Sequence, residues 1–233
     1  MTIVNKKSKS FPQTKALIFM KAHSERVPGK NMKKLFGRPL FHWILDSLSE
    51  AKYINEIIIN TDANEIAESA TSNYDVTIHM RPKYLLDIDG NEANQIIEYD
   101  LSKTNGEFFF QSHSTNPLLR VDTIDSAIEE YFDNKFDSLL SVTEKQKRYF
   151  TLDGDPINHN PQNLVKTQNC KSLYEENSCI YIFSRKVFEK NTNRIGENPM
   201  LYPISPLESI DIDEPLDFEI AEFLMQRKNT FNQ

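Results

Sequence analysis

The sequence is poor in cysteine, basic charge and long apolar runs, and each shortage excludes a class of protein. Its two cysteines, Cys170 and Cys179, form neither a disulfide framework nor paired CxxC metal hooks, and we assign them no function. The formal net charge of -7 argues against a nucleic-acid partner. No apolar stretch approaches the ~20 residues of a membrane span, and the polar start lacks a signal-peptide centre. We therefore expect a cytoplasmic globular protein without nucleic-acid or membrane partners.

Glycine-rich nucleotide motifs are missing as well. With six glycines, the chain contains neither GxGxxG nor GxxxxGK[ST], so neither a dinucleotide site nor a P-loop is predicted. What is present is an alternation of strand and helix patterns, beginning with "ALIFM" at 16–20 and the helical "RPLFHWILDSLSEA" at 38–51. This alternation predicts an α/β fold with a doubly wound, mainly parallel, Rossmann-like sheet. We expect a polar tail over residues 1–14 and a single domain over 15–233.

The alternation stops between about residues 143 and 168. This segment is rich in turn residues, such as Asp-Gly-Asp-Pro and Asn-Pro. A structureless loop of this length is uncommon inside a compact domain. We therefore expect an inserted arm that has strands of its own and packs on a partner, which predicts a homodimer.

Three cations directly follow the first apolar strand, in "KAHSERVPGKN". Lys21, Arg26 and Lys30 lie in a loop that leaves the carboxyl end of this strand, where an open α/β sheet binds its ligands. The cations and free backbone N–H groups of such a loop suit a phosphate chain. Charge alone also describes a solvated basic loop, so the hypothesis needs support from the rest of the sequence.

Two carboxylates, Asp211 and Asp213, stand two residues apart in "SIDID" near the other end. The period of an extended chain places both on one face. Such a pair suits Mg²⁺ (or Mn²⁺), which takes a few carboxylate oxygens together with substrate phosphates and waters. The alternative is a polar helix start with Asp213 as N-cap. Asp87 and Asp89 share the spacing, but the Gly-Asn that follows them favours a loop, so we prefer the first pair.

Seven segments in order resemble the acylneuraminate cytidylyltransferase family, which includes the CMP-sialic acid synthetases and is related to the CMP-Kdo synthetases. The segments are "KAHSERVPGKN", "FGRPLFHWIL", "IIINTDANEIAESA", "MRPKYL", "STNPLLR", "ENSCIYIF" and "ESIDIDEPLDFEIAE". They cover nearly the whole chain beyond the tail. The first and last are the most specific, and their correct order strengthens the resemblance.

The resemblance implies a role for individual residues. It implies CTP contacts at Lys21, Ser24, Lys30, Asn31 and Arg81. It implies a metal site at Asp211 and Asp213, which with Lys21 and Lys30 form the expected catalytic set. It implies sugar-acid contacts at His113, Asn177, Gln168, Lys147 and Arg148. The arm that carries Lys147 and Arg148 would reach over the active site of the partner in a homodimer, where either cation would meet the substrate carboxylate.

Three positions depart from the family pattern. Lys21 replaces the usual arginine of the loop, which keeps the charge but loses the bidentate fork. Glu25 stands where a lysine is common, and His113 replaces a glutamine, so that it would contact the acceptor or the base. These departures bear on the identity of the acceptor more than on the reaction.

The reaction implied is attack by the anomeric hydroxyl of a 2-keto-3-deoxy sugar acid on the α-phosphate of CTP. Its products are a CMP-sugar and pyrophosphate. The sugar acid would be sialic acid or a bacterial nonulosonic relative, and an aspartate near the metal or a metal-bound hydroxide would accept the proton. A CMP-Kdo-type or phosphonate cytidylyltransferase is the alternative. A glycosyltransferase with a DxD pair and a non-catalytic nucleotide-binding module are the other readings.

Overall fold

Strands and helices alternate through the computed structural model, which describes residues 10–86 and 92–231. The strands are β1 (Thr14–Met20), β2 (Lys34–Leu35), β3 (Arg38–Pro39), β4 (Ile54–Thr61), β5 (Thr77–Met80), β6 (Phe108–His113), β7 (Ser138–Lys145), β8 (Leu173–Ser184) and β9 (Pro199–Pro203). The helices are α1 (Leu40–Glu50), α2 (Asn64–Asn73), α3 (Glu92–Lys103), α4 (Val121–Asp133), α5 (Arg185–Asn191) and α6 (Pro215–Phe231). None of the helices in this described part is both long and apolar enough to cross a membrane.

Seven strands form one sheet in the order β5-β4-β1-β6-β8-β7-β9. Strands β5, β4, β1 and β6 are mutually parallel, and β7 is parallel to β9. Strand β8 runs antiparallel to both of its neighbours, β6 and β7. The remaining two strands, β2 and β3, form a separate hairpin. The mainly parallel, Rossmann-like α/β fold expected from the sequence is confirmed.

The core lies on both faces of the sheet because β1 is apolar on both faces. Ile18 packs with Phe41 and Ile44 of α1, whereas its neighbour Leu17 packs with Ile97 of α3 on the opposite face. Successive strand residues point to opposite faces, so an unbroken apolar run is what a sheet covered on both sides requires. The two covered faces leave the carboxyl ends of β1 and β6 as an open edge between adjacent loops.

A third apolar cluster joins the loop after β1 to the start of α6 at this edge. Ile212 is fully buried in a cluster that includes Val27 from the loop after β1 and Phe218 from α6. The backbone N–H of Ile212 also donates to the carbonyl of Thr115, in the loop after β6, at 2.9 Å. The segment that contains Asp211 and Asp213 is therefore fixed against both loops.

The arm differs from the expectation in one respect. Strand β7 continues through Lys145, and between it and β8 the chain contains only an isolated bridge, Phe150 to Pro156, and the 3₁₀ turn Thr167–Asn169. The expectation that the arm has strands of its own is therefore wrong. The shape of the arm depends instead on side chains such as Asn158, whose amide donates to the carbonyls of Lys147 and Lys171.

Candidate active site

A cleft lies where the loops after β1 and β6 meet. One part of it, about 320 Å³ in volume, is lined by both loops and includes Lys21, Ser24, Lys30, Asn31 and His113. A second part, about 310 Å³ in volume, shares Lys21 and His113 with the first. It extends to Arg81, which directly follows β5, and to Glu92 at the start of α3. The structure thus brings six of the predicted ligand contacts into one continuous depression.

The loop after β1 is held in shape by side chains on both sides. The amide of Asn31 donates to the carbonyl of Lys21 at 3.0 Å and accepts from the hydroxyl of Ser114 at 2.7 Å. The carboxylate of Asp62, at the end of β4, accepts the backbone N–H of Ala22 at 2.8 Å. Asn31 therefore shapes the loop in this state, and its role as a ligand contact stays a prediction. Sequence reasoning missed Asp62.

Lys30 and Asp213 are in direct contact. Lys30 Nζ donates to the carbonyl of Ile212 at 2.7 Å and lies 3.2 Å from Asp213 Oδ1. Arg26 forms a second ion pair with the same oxygen at 2.7 Å. Helix α6 is capped from within, because the carboxylate of Asp217 accepts the N–H groups of Asp213 and Glu214. The side chain of Asp213 is thus directed at the cations of the loop.

Asp211 is largely buried, and its environment suits a metal ligand. Burial raises the pKa of this carboxyl, and its Oδ1 has no hydrogen-bond partner. A buried carboxylate oxygen without a partner is costly, and a bound cation would satisfy it. Within residues 10–86 and 92–231, no three His, Cys, Asp or Glu side chains could hold a metal together. The unpartnered oxygen of Asp211, with Asp213 two residues away, is the kind of ligand that Mg²⁺ combines with oxygens from substrate and water. Asp87 and Asp89 lie outside the described residues.

Arg81 is buried and rigidly held. Its Nε donates to Asn60 Oδ1 at 2.7 Å, and the amide of Asn60 in turn donates to the buried carboxylate of Asp100 at 2.8 Å. Burial lowers the pKa of Arg81, and its NH1 nitrogen has no hydrogen-bond partner. The arginine therefore presents an unsatisfied donor beside the cleft that it lines. Neither Asn60 nor Asp100 was indicated by the sequence, because their partners lie far away along the chain.

Glu92 is the anion between two of the cations that are predicted to contact CTP. Its Oε1 lies 2.7 Å from Lys21 Nζ and 3.8 Å from the NH1 nitrogen of Arg81. This carboxylate is negatively charged, as a phosphate oxygen bound by the same two cations would be. Any anionic ligand that binds Lys21 and Arg81 must therefore compete with Glu92.

His113 belongs to a short hydrogen-bonded relay. The guanidinium of Arg194, which can only donate, contacts Gln111 Oε1 at 2.6 Å. The amide nitrogen of Gln111 therefore faces His113 Nε2, at 3.1 Å, and that ring nitrogen must be the acceptor. Burial, assisted by the positive charge of Arg194, lowers the pKa of His113 to about 4. His113 is thus neutral near pH 7, with its proton on Nδ1.

The other predicted sugar-acid contacts lie elsewhere within this single chain. The amide of Asn177 binds the hydroxyls of Ser141 and Thr143, inside a bulge of the β7–β8 pair. Gln168, Lys147 and Arg148 belong to the arm, and neither part of the cleft is lined by them. A role for these four residues stays a prediction. Arg194, which the sequence did not indicate because no motif surrounds it, is connected to His113 through Gln111.

Comparison with known proteins places this chain in a family. Residues 15–233 match the family model described as "Cytidylyltransferase". The CMP-N,N'-diacetyllegionaminic acid synthase of Legionella pneumophila is 27% identical over 234 residues, which cover 91% of this chain and 95% of the relative. The N-acylneuraminate cytidylyltransferase A of Danio rerio is 25% identical over 225 residues and 94% of this chain, which spans only about half (52%) of that relative.

A similar fold occurs in a solved structure of CMP:2-keto-3-deoxy-manno-octonic acid synthetase complexed with CTP. The TM-score is 0.71, and the match covers 93% of this chain and 99% of the other. The sequence identity is 13%, so the likeness concerns the fold alone.

Glu92→Gln tests whether this carboxylate competes with anions at Lys21 and Arg81. We expect the variant to bind inorganic triphosphate up to about fivefold more tightly, because an ion pair between partly exposed groups stabilises by up to ~1 kcal/mol. Isothermal titration calorimetry at fixed low salt measures the affinity. Glu98→Gln, an exposed position on the same helix, makes the same change in charge and is the control. Equal affinities of the two variants would contradict the competition.

Proposed function

Because the chain belongs to the cytidylyltransferase family, we propose that this cleft transfers CMP from CTP to a 2-keto-3-deoxy sugar acid and releases pyrophosphate. The observation that carries the proposal is the unpartnered carboxylate oxygen of Asp211, next to the Lys30–Asp213 pair. The Asp211–Asp213 segment and the cationic loop after β1 thus meet at the carboxyl ends of the central strands, where open α/β sheets bind ligands, and together they would hold a metal and a triphosphate. This arrangement is what a nucleotidyl transfer requires.

The chain's own cations would bind and orient the triphosphate. Lys21 and Lys30 line one part of the cleft, Lys21 and Arg81 line the other, and Lys30 also contacts Asp213. Transfer of a phosphoryl-type group depends mainly on alignment and on stabilisation of charge at the phosphate oxygens, which fixed cations supply. When bound by Asp211 and Asp213, Mg²⁺ would add further positive charge there.

His113 would orient the acceptor rather than remove its proton. A general base is most effective when its pKa lies near the working pH. With a pKa lowered to about 4, the ring is a weak base at pH 7. Its Nδ1–H remains available to donate to an oxygen of the acceptor, since Gln111 occupies the other nitrogen. No nucleophilic side chain is needed, because the acceptor hydroxyl attacks the α-phosphate directly.

The acceptor that we propose is a nonulosonic acid, such as sialic or legionaminic acid. The relatives from Legionella pneumophila and Danio rerio carry names of this class and support it. An acceptor of the Kdo type is the second candidate, favoured by the likeness in fold to the CTP-bound synthetase. We expect the enzyme in the cytoplasm, where CTP is made.

A pyrophosphate-release screen tests the proposed function. The purified protein is incubated with each of the four nucleoside triphosphates, Mg²⁺ and a panel of sialic, legionaminic, pseudaminic, Kdo and phosphonate acceptors. We expect release only with CTP and a sugar acid. Transfer from a preformed sugar nucleotide, without release of pyrophosphate, would instead indicate a glycosyltransferase. No turnover with any pair would contradict the proposed function.

Asp211→Ala tests the metal site. We expect turnover to be abolished while the melting temperature stays at or above that of the wild type, because the change removes a buried carboxylate without a full set of partners. Asp89→Ala removes a member of the other pair with the same spacing and should keep full activity. The reverse result, with activity lost only in Asp89→Ala, would show that Asp211 and Asp213 are the wrong pair.

Substitutions in the loop after β1 test its grip on the triphosphate. Lys21→Ala should weaken binding of CTP by about 1.5–3 kcal/mol, the range for a charged hydrogen bond, whereas Lys21→Arg keeps the charge and should be tolerated. Lys30→Ala should weaken CTP binding and slow the chemical step together. Steady-state kinetics, with CTP and acceptor varied separately, measure these effects. If Lys21→Ala and Lys30→Ala both behave as the wild type, the loop is only a solvated turn.

A homodimer formed through the arm is the assembly that we propose. The arm exposes large apolar side chains, including Phe150, Leu152 and Ile157, that a partner would cover. We expect a dimer by sedimentation at micromolar concentration, and a monomer when Leu152 and Ile157 are both changed to Glu. Leu216→Glu, an exposed apolar position outside the arm, is the control and should stay dimeric. A fully active wild-type monomer would contradict both the dimer and any role of the arm in a partner's site.

A further inference from the structure

Arg194 projects from a rigid loop between α5 and β9. Its backbone N–H donates to Asn94 Oδ1 at 3.2 Å, and that of Gly196 donates to the hydroxyl of Ser138 at 2.8 Å. The backbone is packed so closely here that a Cβ at Gly196 would lie 2.3 Å from Asp137 Oδ1. The position of the Arg194 side chain is therefore determined by the fold.

The guanidinium of Arg194 has few partners for a largely buried cation. It stacks on the ring of Tyr181, 3.6 Å from the ring centroid, and its hydrogen-bond partners are Gln111, which accepts from NH1, and the side chain of Tyr181. No carboxylate of the described chain forms an ion pair with it. Glu176, the acidic group that acts on its charge, instead accepts the hydroxyl of Tyr181. A cation in such surroundings favours an added anion, because burial has removed part of its hydration.

Arg185 shows what a purely structural arginine does in this fold. Its Nε, NH1 and NH2 nitrogens donate to the backbone carbonyls of Gly106, Leu101 and Thr104. All three nitrogens are thus used to fasten α5 to the neighbouring loop. Arg194 has the same five N–H donors, and its side-chain partners are Gln111 and Tyr181, neither of which is an anion.

The position of Arg194 relative to the cleft indicates which anion it meets. His113 lines both parts of the cleft, and its charge environment includes Arg194, Lys30 and Asp213. In a 2-keto-3-deoxy acid, the carboxylate is attached to the same carbon as the attacking hydroxyl. When that hydroxyl faces the α-phosphate, the carboxylate must therefore lie within a few ångströms of the phosphate-binding groups, on the acceptor side.

We propose that Arg194 binds the carboxylate of the acceptor acid and selects acids over neutral sugars. This inference rests on the proposed cytidylyl transfer. A planar guanidinium matches a carboxylate with two parallel hydrogen bonds, and the stack on Tyr181 fixes the plane of the fork. The residue differs from the arm cations Lys147 and Arg148, which the sequence predicted for the same carboxylate.

The test compares the preferred acid of the pyrophosphate-release screen with its methyl ester, which keeps the anomeric hydroxyl but loses the charge. The wild type should strongly prefer the acid. Arg194→Gln should raise the KM for the acid about 10- to 100-fold, the range for a lost charged hydrogen bond. Its kcat/KM for the ester and its KM for CTP should stay within about twofold of the wild type. Arg194→Lys should recover part of the preference.

The preference for acid over ester separates binding from a structural role. If Arg194 only supports the fold, both acceptors weaken equally, the preference persists and the inference is overturned. Arg194→Met keeps an apolar side chain over Tyr181 and repeats the test if the glutamine variant does not fold. Arg120→Gln, which removes an exposed arginine paired with Asp122, is the control for net charge.

Two further outcomes separate a failure of this inference from a failure of the proposed function. Loss of the preference in Arg148→Gln but not in Arg194→Gln would assign the carboxylate to the arm and overturn the inference alone. A wild type that turns over no acid would contradict the proposed function, and the inference would fall with it.

Discussion

The burial of Ile212 is the contact on which the site depends. An isoleucine that is fully removed from water stabilises by about 1.5–3 kcal/mol, and here it does so between the loop after β1 and α6. Both polar groups of its backbone are hydrogen-bonded: the N–H of Ile212 donates to the carbonyl of Thr115, and its carbonyl accepts from Lys30 Nζ. Because its two neighbours in sequence are carboxylates, one apolar anchor fixes the backbone that carries both of them, and it places Asp213 in contact with Lys30 and Arg26.

The sequence predicted those features that depend on local pattern. The apolar run of β1 and the helical period of α1 lead directly to a mainly parallel sheet, which the structure confirms. The carboxyl-end rule then located the cleft beside Lys21 and Lys30, where it lies. The sequence also predicted where the arm interrupts the alternation, but the prediction that the arm has strands of its own was wrong. A turn-rich composition indicates where regular structure stops and does not indicate what replaces it.

The missed residues act through contacts that no local pattern records. Glu92 begins a helix, where an acidic residue is ordinary, and only the folded chain shows it between Lys21 and Arg81. Arg194 follows a helix end within a run of turn residues, and its meaning depends on Gln111 from a distant strand. A motif identifies side chains that share a segment, whereas the electrostatics of this cleft arise between segments.

The contact of Lys30 with Ile212 also has a consequence for biosynthesis. The two residues are 182 positions apart, so the loop leaves the ribosome long before its counterpart is translated. Until then, a nascent chain can complete the apolar centre around β1, β4 and β6 but has no Ile212 to cover Val27. Long-range contacts of this kind form late and lower the rate of folding. The segment that contains Ile212 is thus synthesised well after the loop that it covers, and the cleft beside that loop is complete only then.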